Sequence, residues 1–135
     1  MTFLTATQYS IAHMPSRYTI HQEAEYVLLV LGGDVRTADE VLAFVNSMLI
    51  DLKKRRCSKV LIDETALFVD VDQFETYSFA EKLATHLPAQ GLRIATIYAP
   101  QNKEVYGWAE TFLRNRSINY RTFPDKDSAL KWLLK

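Results

Sequence analysis

The 135-residue sequence predicts an α/β fold. It expects one domain with a mixed, mostly parallel sheet, an antiparallel hairpin at its N-terminal end and about four helices against it. Three observations carry this expectation. Short β-branched and aromatic runs alternate with segments of helical hydrophobic period, as in a parallel sheet with crossover helices. The first two runs are separated only by Glu23-Ala24-Glu25, too short for a crossover and suited to a hairpin. Two helical segments open with a Thr or Asp followed three residues later by Glu, which is capping-box spacing.

The elements follow in order. Tyr18–Gln22 and Tyr26–Leu31 form the hairpin, and Gly32-Gly33-Asp34 stops its second strand. Thr37 and Glu40 cap the first helix, whose inner stripe is Val41, Val45, Met48 and Leu52 with Leu42 and Leu49. Lys53-Lys54-Arg55-Arg56 closes it, where cations suit the helix dipole. Lys59–Ile62 is a short buried strand, followed by Asp63-Glu64-Thr65, and residues 66–71 are compatible with an edge strand. Asp72 and Glu75 open a second helix with Phe74, Tyr77, Ala80, Ala84 and Leu87 as its stripe, closed by Pro88 and Gly91. Leu92–Tyr98 is the next strand. Val105, Trp108, Ala109 and Phe112 mark a third amphipathic helix, Ile118–Phe123 the last strand, and Asp125 caps a closing helix with Leu130 and Leu133 inward. The order is β-β-α-β-α-β-α-β-α over residues 17–135. Residues 1–16 carry no clear pattern and are expected to be an arm or an edge strand.

Charge and cysteine usage bound the function. Sixteen basic residues balance sixteen acidic ones, so a global basic field for nucleic acid is absent. Cys57 is the one cysteine, which excludes an intramolecular disulfide and fits a reducing cytosol. The first cationic side chain is Arg17, leaving no charged n-region of a signal peptide. The apolar run Tyr26–Leu31 is far short of the ~20 residues of a membrane helix. The expectation is a cytoplasmic protein without a transmembrane segment.

The order of elements over residues 17–135 resembles the STAS-like, or SpoIIAA-like, superfamily of small bacterial α/β domains. The matching pieces are the opening hairpin, Lys59-Val-Leu-Ile-Asp63 before the second helix, and Leu92-Arg-Ile-Ala-Thr-Ile97 as a central strand. At the end stand Asn115–Phe123 and Asp127–Leu133. The resemblance implies a fold without catalytic machinery, used by anti-sigma-factor antagonists, transporter tails and proposed lipid-binding modules. The antagonists of that group carry a phosphorylatable serine in an Asp-Ser-Ser/Thr-Gly loop. This chain has Asp63-Glu64-Thr65-Ala66-Leu67 there: no serine, and no glycine after it. Only Thr65 offers a hydroxyl, and Asp63 and Glu64 oppose an added dianion.

Ligands of parallel sheets usually sit beyond the carboxyl ends of the strands. Those ends supply Gly33, Asp34, Asp63, Glu64, Thr65, Tyr98 and Asn102, a set suited to a small ligand or a partner peptide, and equally explained by ordinary turns and caps. Neither GxGxxG nor GxxxxGK[ST] occurs, so no nucleotide cofactor is expected. An Asp63-centred phospho-receiver needs a second acidic cluster for Mg²⁺, and Asp34, beyond the strand, is all there is. Lys53, Lys54, Arg55, Arg56 and Lys59 form a possible anion or anionic-lipid patch beside Cys57, or simply a solvated helix end. Arg114, Arg116 and Arg121 lack the interleaved aromatics of single-strand binding. His13, His21 and His86 are scattered and make no zinc motif. Trp108, Phe112 and Trp132 read as core. Tyr77, Tyr98 and Tyr106 are candidates to line an interhelical crevice, where an apolar cavity would suit an acyl chain.

Three functions follow. The first is a non-enzymatic binding or signalling module working through protein contacts, as a homodimer by an edge strand or helix face. The alternative is a small-molecule or lipid carrier. The third is an enzyme using Asp63 and Glu64 as acid and base. Adjacent residues of an extended chain face opposite ways, so the third needs a bend there.

Overall fold

The structure, a computed structural model, describes residues 16–87 and 91–135. The expected arm therefore lies, but for Ser16, outside the described residues, as does Pro88. The described chain runs β1 (Arg17–Gln22), β2 (Val27–Val35), α1 (Ala38–Arg55), β3 (Lys59–Val69), α2 (Gln73–Ala84), β4 (Arg93–Tyr98), a 3₁₀ turn (Pro100–Asn102), α3 (Lys103–Arg114), β5 (Tyr120–Phe123) and α4 (Lys126–Leu133). This is the order the sequence predicts. The sheet order is β1-β2-β3-β4-β5, with β1 antiparallel to β2 and the other neighbours parallel.

Strand order dictates where the helices go. Each crossover steps one strand in the same direction, and right-handed crossovers then put α1, α2 and α3 on one face. Val27, Leu29, Leu31, Val35, Val60 and Leu67 point to that face and meet Met48 and Leu52 of α1. Ala80 and Leu83 of α2 meet Leu113 of α3 above it. The opposite face is covered by α4, which turns back after β5 and seats Ala129 and Leu133 on Leu61, Ala95 and Ile97.

Local sequence explains the helix starts. Thr37 and Glu40 make the complete capping box. Asp72 accepts from the Glu75 amide, but the Glu75 carboxylate does not return to its own helix start: it accepts from the Ala38 amide at 2.7 Å. One acidic side chain thus caps the neighbouring helix and ties α2 to α1. Glu75→Ala is expected to cost about 1 kcal/mol and Glu75→Gln, which keeps an acceptor, less. Thermal unfolding of both variants checks the order.

Several boundaries and faces differ from the sequence reading. β2 runs through Gly32–Asp34 to Val35 instead of stopping at the glycines. β3 does not end at Ile62: it has 11 residues, so Asp63-Glu64-Thr65 lie within a strand. The β2–β3 register shifts between Val30 and Gly32, where Val30 faces Asp63 and Gly32 faces Ala66. The extra residue of this bulge on β3 lets Leu67 and Val69 keep facing the helices that Val60 and Ile62 face. Gly33, at φ 105°, supplies on β2 a backbone that other residues rarely adopt.

The inner stripe of α2 is Thr76, Ala80 and Leu83, while Phe74 is 72 % and Tyr77 44 % exposed. Ala80 is wholly buried because α2 is flanked by α1 and α3, where small side chains allow close approach. In α3 the buried residues are Tyr106, Ala109 and Leu113, one position round from the expected set. Phe112 instead meets Tyr77 edge-on at 5.3 Å, sealing the seam between α2 and α3.

Candidate functional site

Between the sheet and the three helices lies a cavity of about 150 Å³. Its walls are apolar side chains from β2, β3, α1, α2 and α3, among them Leu29, Val45, Met48, Leu67, Phe79 and Leu113. A void of this size lined by aliphatic and aromatic groups accepts a molecule about as large as benzene. Its polar wall groups are few: Glu64, Glu75, Thr76, Tyr106 and Tyr120. Glu75 is committed to the Ala38 amide, and the Thr76 hydroxyl donates to the Asp72 carbonyl at 2.9 Å.

Glu64 remains. The β3 bulge follows it, and strand alternation turns it to the helix face while Asp63 faces the other side. The Tyr106 hydroxyl donates to Glu64 Oε1, and the Tyr106 ring stacks on Tyr98 with centroids 5.7 Å apart. Burial dominates the electrostatics. It pushes the Glu64 carboxyl up from 4.5 to about 7, the Tyr106 hydrogen bond holding it down and the Asp63 charge adding to the rise. Burial, then the Glu64 charge and hydrogen bond, raise the Tyr106 phenol well above its ordinary value, and burial with the Glu64 charge does the same for Tyr120.

The other residues expected at the strand ends do not share one crevice with Glu64. Asp63 accepts from the Thr65 amide at 3.0 Å and the Thr65 hydroxyl at 2.7 Å, a local turn-like pair on the exposed side of the bulge. Asp34 also points away from the helices and pairs with Arg36 at 3.4 Å. Gly33 lies opposite Leu67. Asn102 is buried, and its Nδ2 donates to the Leu67 carbonyl at 3.3 Å. β4 pairs with β3 only as far as Glu64, so Asn102 satisfies a backbone oxygen that the departing strand leaves open. Of the three tyrosines expected to line an interhelical crevice, Tyr106 lines the cavity, Tyr98 braces it, and Tyr77 lies outside it against Phe112 and Arg116. Tyr120 was not singled out in the sequence. Its signal is the period of β5, which puts it opposite Ile94 on the helix face.

Lys53, Lys54 and Arg55 occupy the last turn of α1, and Arg56 takes the left-handed C-cap at φ 53°. All four are exposed, and Lys59 is half-buried at the start of β3. This group sits at the end of the sheet away from the strand carboxyl ends, because α1 runs antiparallel to the strands it connects. The Cys57 thiol donates to the Lys59 carbonyl at 3.2 Å and packs against the core. Arg116 is bound to Glu81, to the Phe112 carbonyl at 2.8 Å and over the Tyr77 ring, so it clamps α3 to α2. Among the described residues no group of three or more His, Cys, Asp or Glu is placed to hold a metal ion. Among them, too, no helix is long and apolar enough to cross a membrane.

No family model and no curated protein matches the chain. Solved structures do. An uncharacterised protein of the DUF3478 family with a SpoIIAA-like fold, from Shewanella loihica PV-4, is 20 % identical with a TM-score of 0.54, over 90 % of this chain and 94 % of that one. An anti-sigma factor antagonist from Mycobacterium paratuberculosis is 10 % identical with a TM-score of 0.58, over 89 % of this chain and 95 % of that one. At these identities the likeness is one of fold, and it extends over about nine-tenths of the chain. The chain has a SpoIIAA-like fold.

Proposed function

We propose that this domain is a non-enzymatic binding module that carries a small, mostly apolar molecule in the cavity between its sheet and helices. The observation behind this is the cavity itself. A space of about 150 Å³ between apolar walls leaves packing contacts unmade, and an apolar occupant supplies them and stabilises the fold by binding. The non-enzymatic reading is supported by the surroundings of Glu64, which among the described residues has phenols beside it in the cavity: Glu75 is committed as a helix cap, and Asp63 faces the other side of the strand. Acid–base catalysis by Asp63 and Glu64 together is therefore disfavoured.

Native mass spectrometry of the untagged protein, with thermal unfolding in the presence of toluene, tests the proposal. The expected result is a retained small mass, or a saturable rise of the midpoint with toluene. Val45→Phe provides the control, since Val45 stands between two core clusters and lines the cavity. Filling the space is expected to weaken toluene binding at least tenfold without lowering the midpoint. No retained mass together with no toluene response would overturn the carrier reading.

A second reading, a protein-contact module, is favoured by a different observation. Phe74 and Tyr77 expose aromatic surface on α2, and Phe68 exposes 52 % of its own on the sheet face that α4 leaves uncovered, under the Arg36 guanidinium at 5.4 Å. The similar mycobacterial structure is of an anti-sigma factor antagonist, a protein that acts on another protein. Self-association through α2 or the β1 edge gives a dimer in sedimentation that Phe74→Ser or an edge-strand charge dissolves. A monomer at all concentrations removes the homodimer from this reading.

A further inference from the structure

From the lining of the cavity we infer the chemical class of its ligand: an uncharged molecule with an apolar, ring-sized body and one hydroxyl that donates a hydrogen bond to Glu64. This deepens the carrier reading and rests on it.

The argument begins with what the walls lack. Among the described residues that line the cavity there is no Lys, Arg or His. Residues 1–15 and 88–90 contain no Lys or Arg, and their one imidazole is His13. A carboxylate or phosphate ligand would enter an apolar space with no cation among the described lining residues to balance it, facing the Glu64 carboxyl. An alkane would leave that carboxyl without a partner. A hydroxyl answers both problems. Tyr106 occupies Oε1, and Oε2 has no hydrogen-bond partner among the described residues. A carboxylate oxygen is an acceptor, so the complementary group is a donor, and bonds to ionised acceptors are the stronger kind.

The groups facing Glu64 are known from each element that packs near it. α3 contributes Tyr106, β5 contributes Tyr120, and β3 itself contributes Asp63 on the far face. α2 contributes Glu75, already committed, and the cavity-lining residues of α1 are all apolar. None of the phenols, raised as they are, ionises near neutrality, so Glu64 is the group that titrates there. A donor ligand that prefers ionised Glu64 binds more tightly as pH rises through about 7. An apolar ligand gains nothing from that rise.

Calorimetric titration with benzyl alcohol, toluene and benzoate at pH 6 and pH 8 provides the test. At pH 8 benzyl alcohol is expected to bind at least tenfold more tightly than benzoate. Its affinity should rise several-fold from pH 6 to pH 8, toluene should show no such rise, and Glu64→Gln should abolish it. If toluene binds but benzoate equals benzyl alcohol, or the pH response survives in Glu64→Gln, the inference fails while the carrier reading stands. If none of the three binds, the carrier reading fails and this inference with it.

Discussion

Glu64→Gln is expected to stabilise the protein at pH 8 by up to about 3 kcal/mol and to leave it unchanged near pH 4. The sign follows from the direction of the shift. The folded carboxyl titrates at about 7, above its ordinary 4.5. Below 4.5 both folded and unfolded chains carry the proton, and Glu64 imposes no penalty. Between 4.5 and about 7 the unfolded chain has lost a proton that the folded chain still holds, so wild-type stability falls as pH rises. Above that range the penalty is complete and constant. The amide has nearly the same shape, accepts from Tyr106 as the carboxyl does, and never ionises.

Denaturant unfolding at several pH values separates this from every other titrating group, because those groups are common to both proteins. The difference between variant and wild type is expected to grow from pH 4.5 to pH 7 and then level off, and thermal unfolding at the plateau should show a midpoint difference on the order of 10 °C. Parallel curves at all pH values would mean that the carboxyl is well solvated. The same experiment bears on function. A carboxyl held in an apolar wall against its own stability is a feature of binding sites more than of cores.

How much of this was legible in the sequence depends on the kind of signal. The element order was, because helix and strand periods differ and because capping residues announce helix starts, as Thr37, Asp72 and Asp125 do. The face of a helix was less so. In α2 the apolar stripe Phe74, Tyr77, Ala80 is a valid helical face, but the helix lies between two others and its smaller side, Thr76, Ala80, Leu83, turns inward. The continuation of β3 was hidden for a different reason. Asp63, Glu64 and Thr65 look like turn chemistry, and only pairing with β2 through the bulge, plus the Asn102 bond to Leu67, keeps them extended. That tertiary override also explains the site. Glu64 was a candidate as a loop residue in a polar crevice, yet it is a strand residue in an apolar wall. A cavity between sheet and helices is a sum over elements far apart in the chain, so no local pattern encodes it.

The largest loss of stability is expected from Leu133→Ala, about 2–5 kcal/mol. Leu133 is fully buried, and with Ala129 it forms the contact by which α4 covers Leu61, Ala95 and Ile97. Among the described helices α4 is the one on that face, so no neighbour can move in to close the gap, and the cost belongs near the upper end. Ile50→Ala, at a residue 60 % exposed on α1, is the control and should change stability by no more than about 0.5 kcal/mol. Urea unfolding with an unchanged slope reads both. The variant also distinguishes stability from binding. Leu133 lies across the sheet from the cavity and is absent from its walls. Folded Leu133→Ala protein should therefore bind toluene as wild type does, whereas Val45→Phe should lose toluene and keep its stability. The two variants fail in opposite ways only if the sheet divides a structural face from a ligand-bearing one. A Leu133→Ala protein that is folded but has lost the ligand would show that packing under α4 is transmitted through β3 to the cavity wall, and would make the two faces one coupled unit.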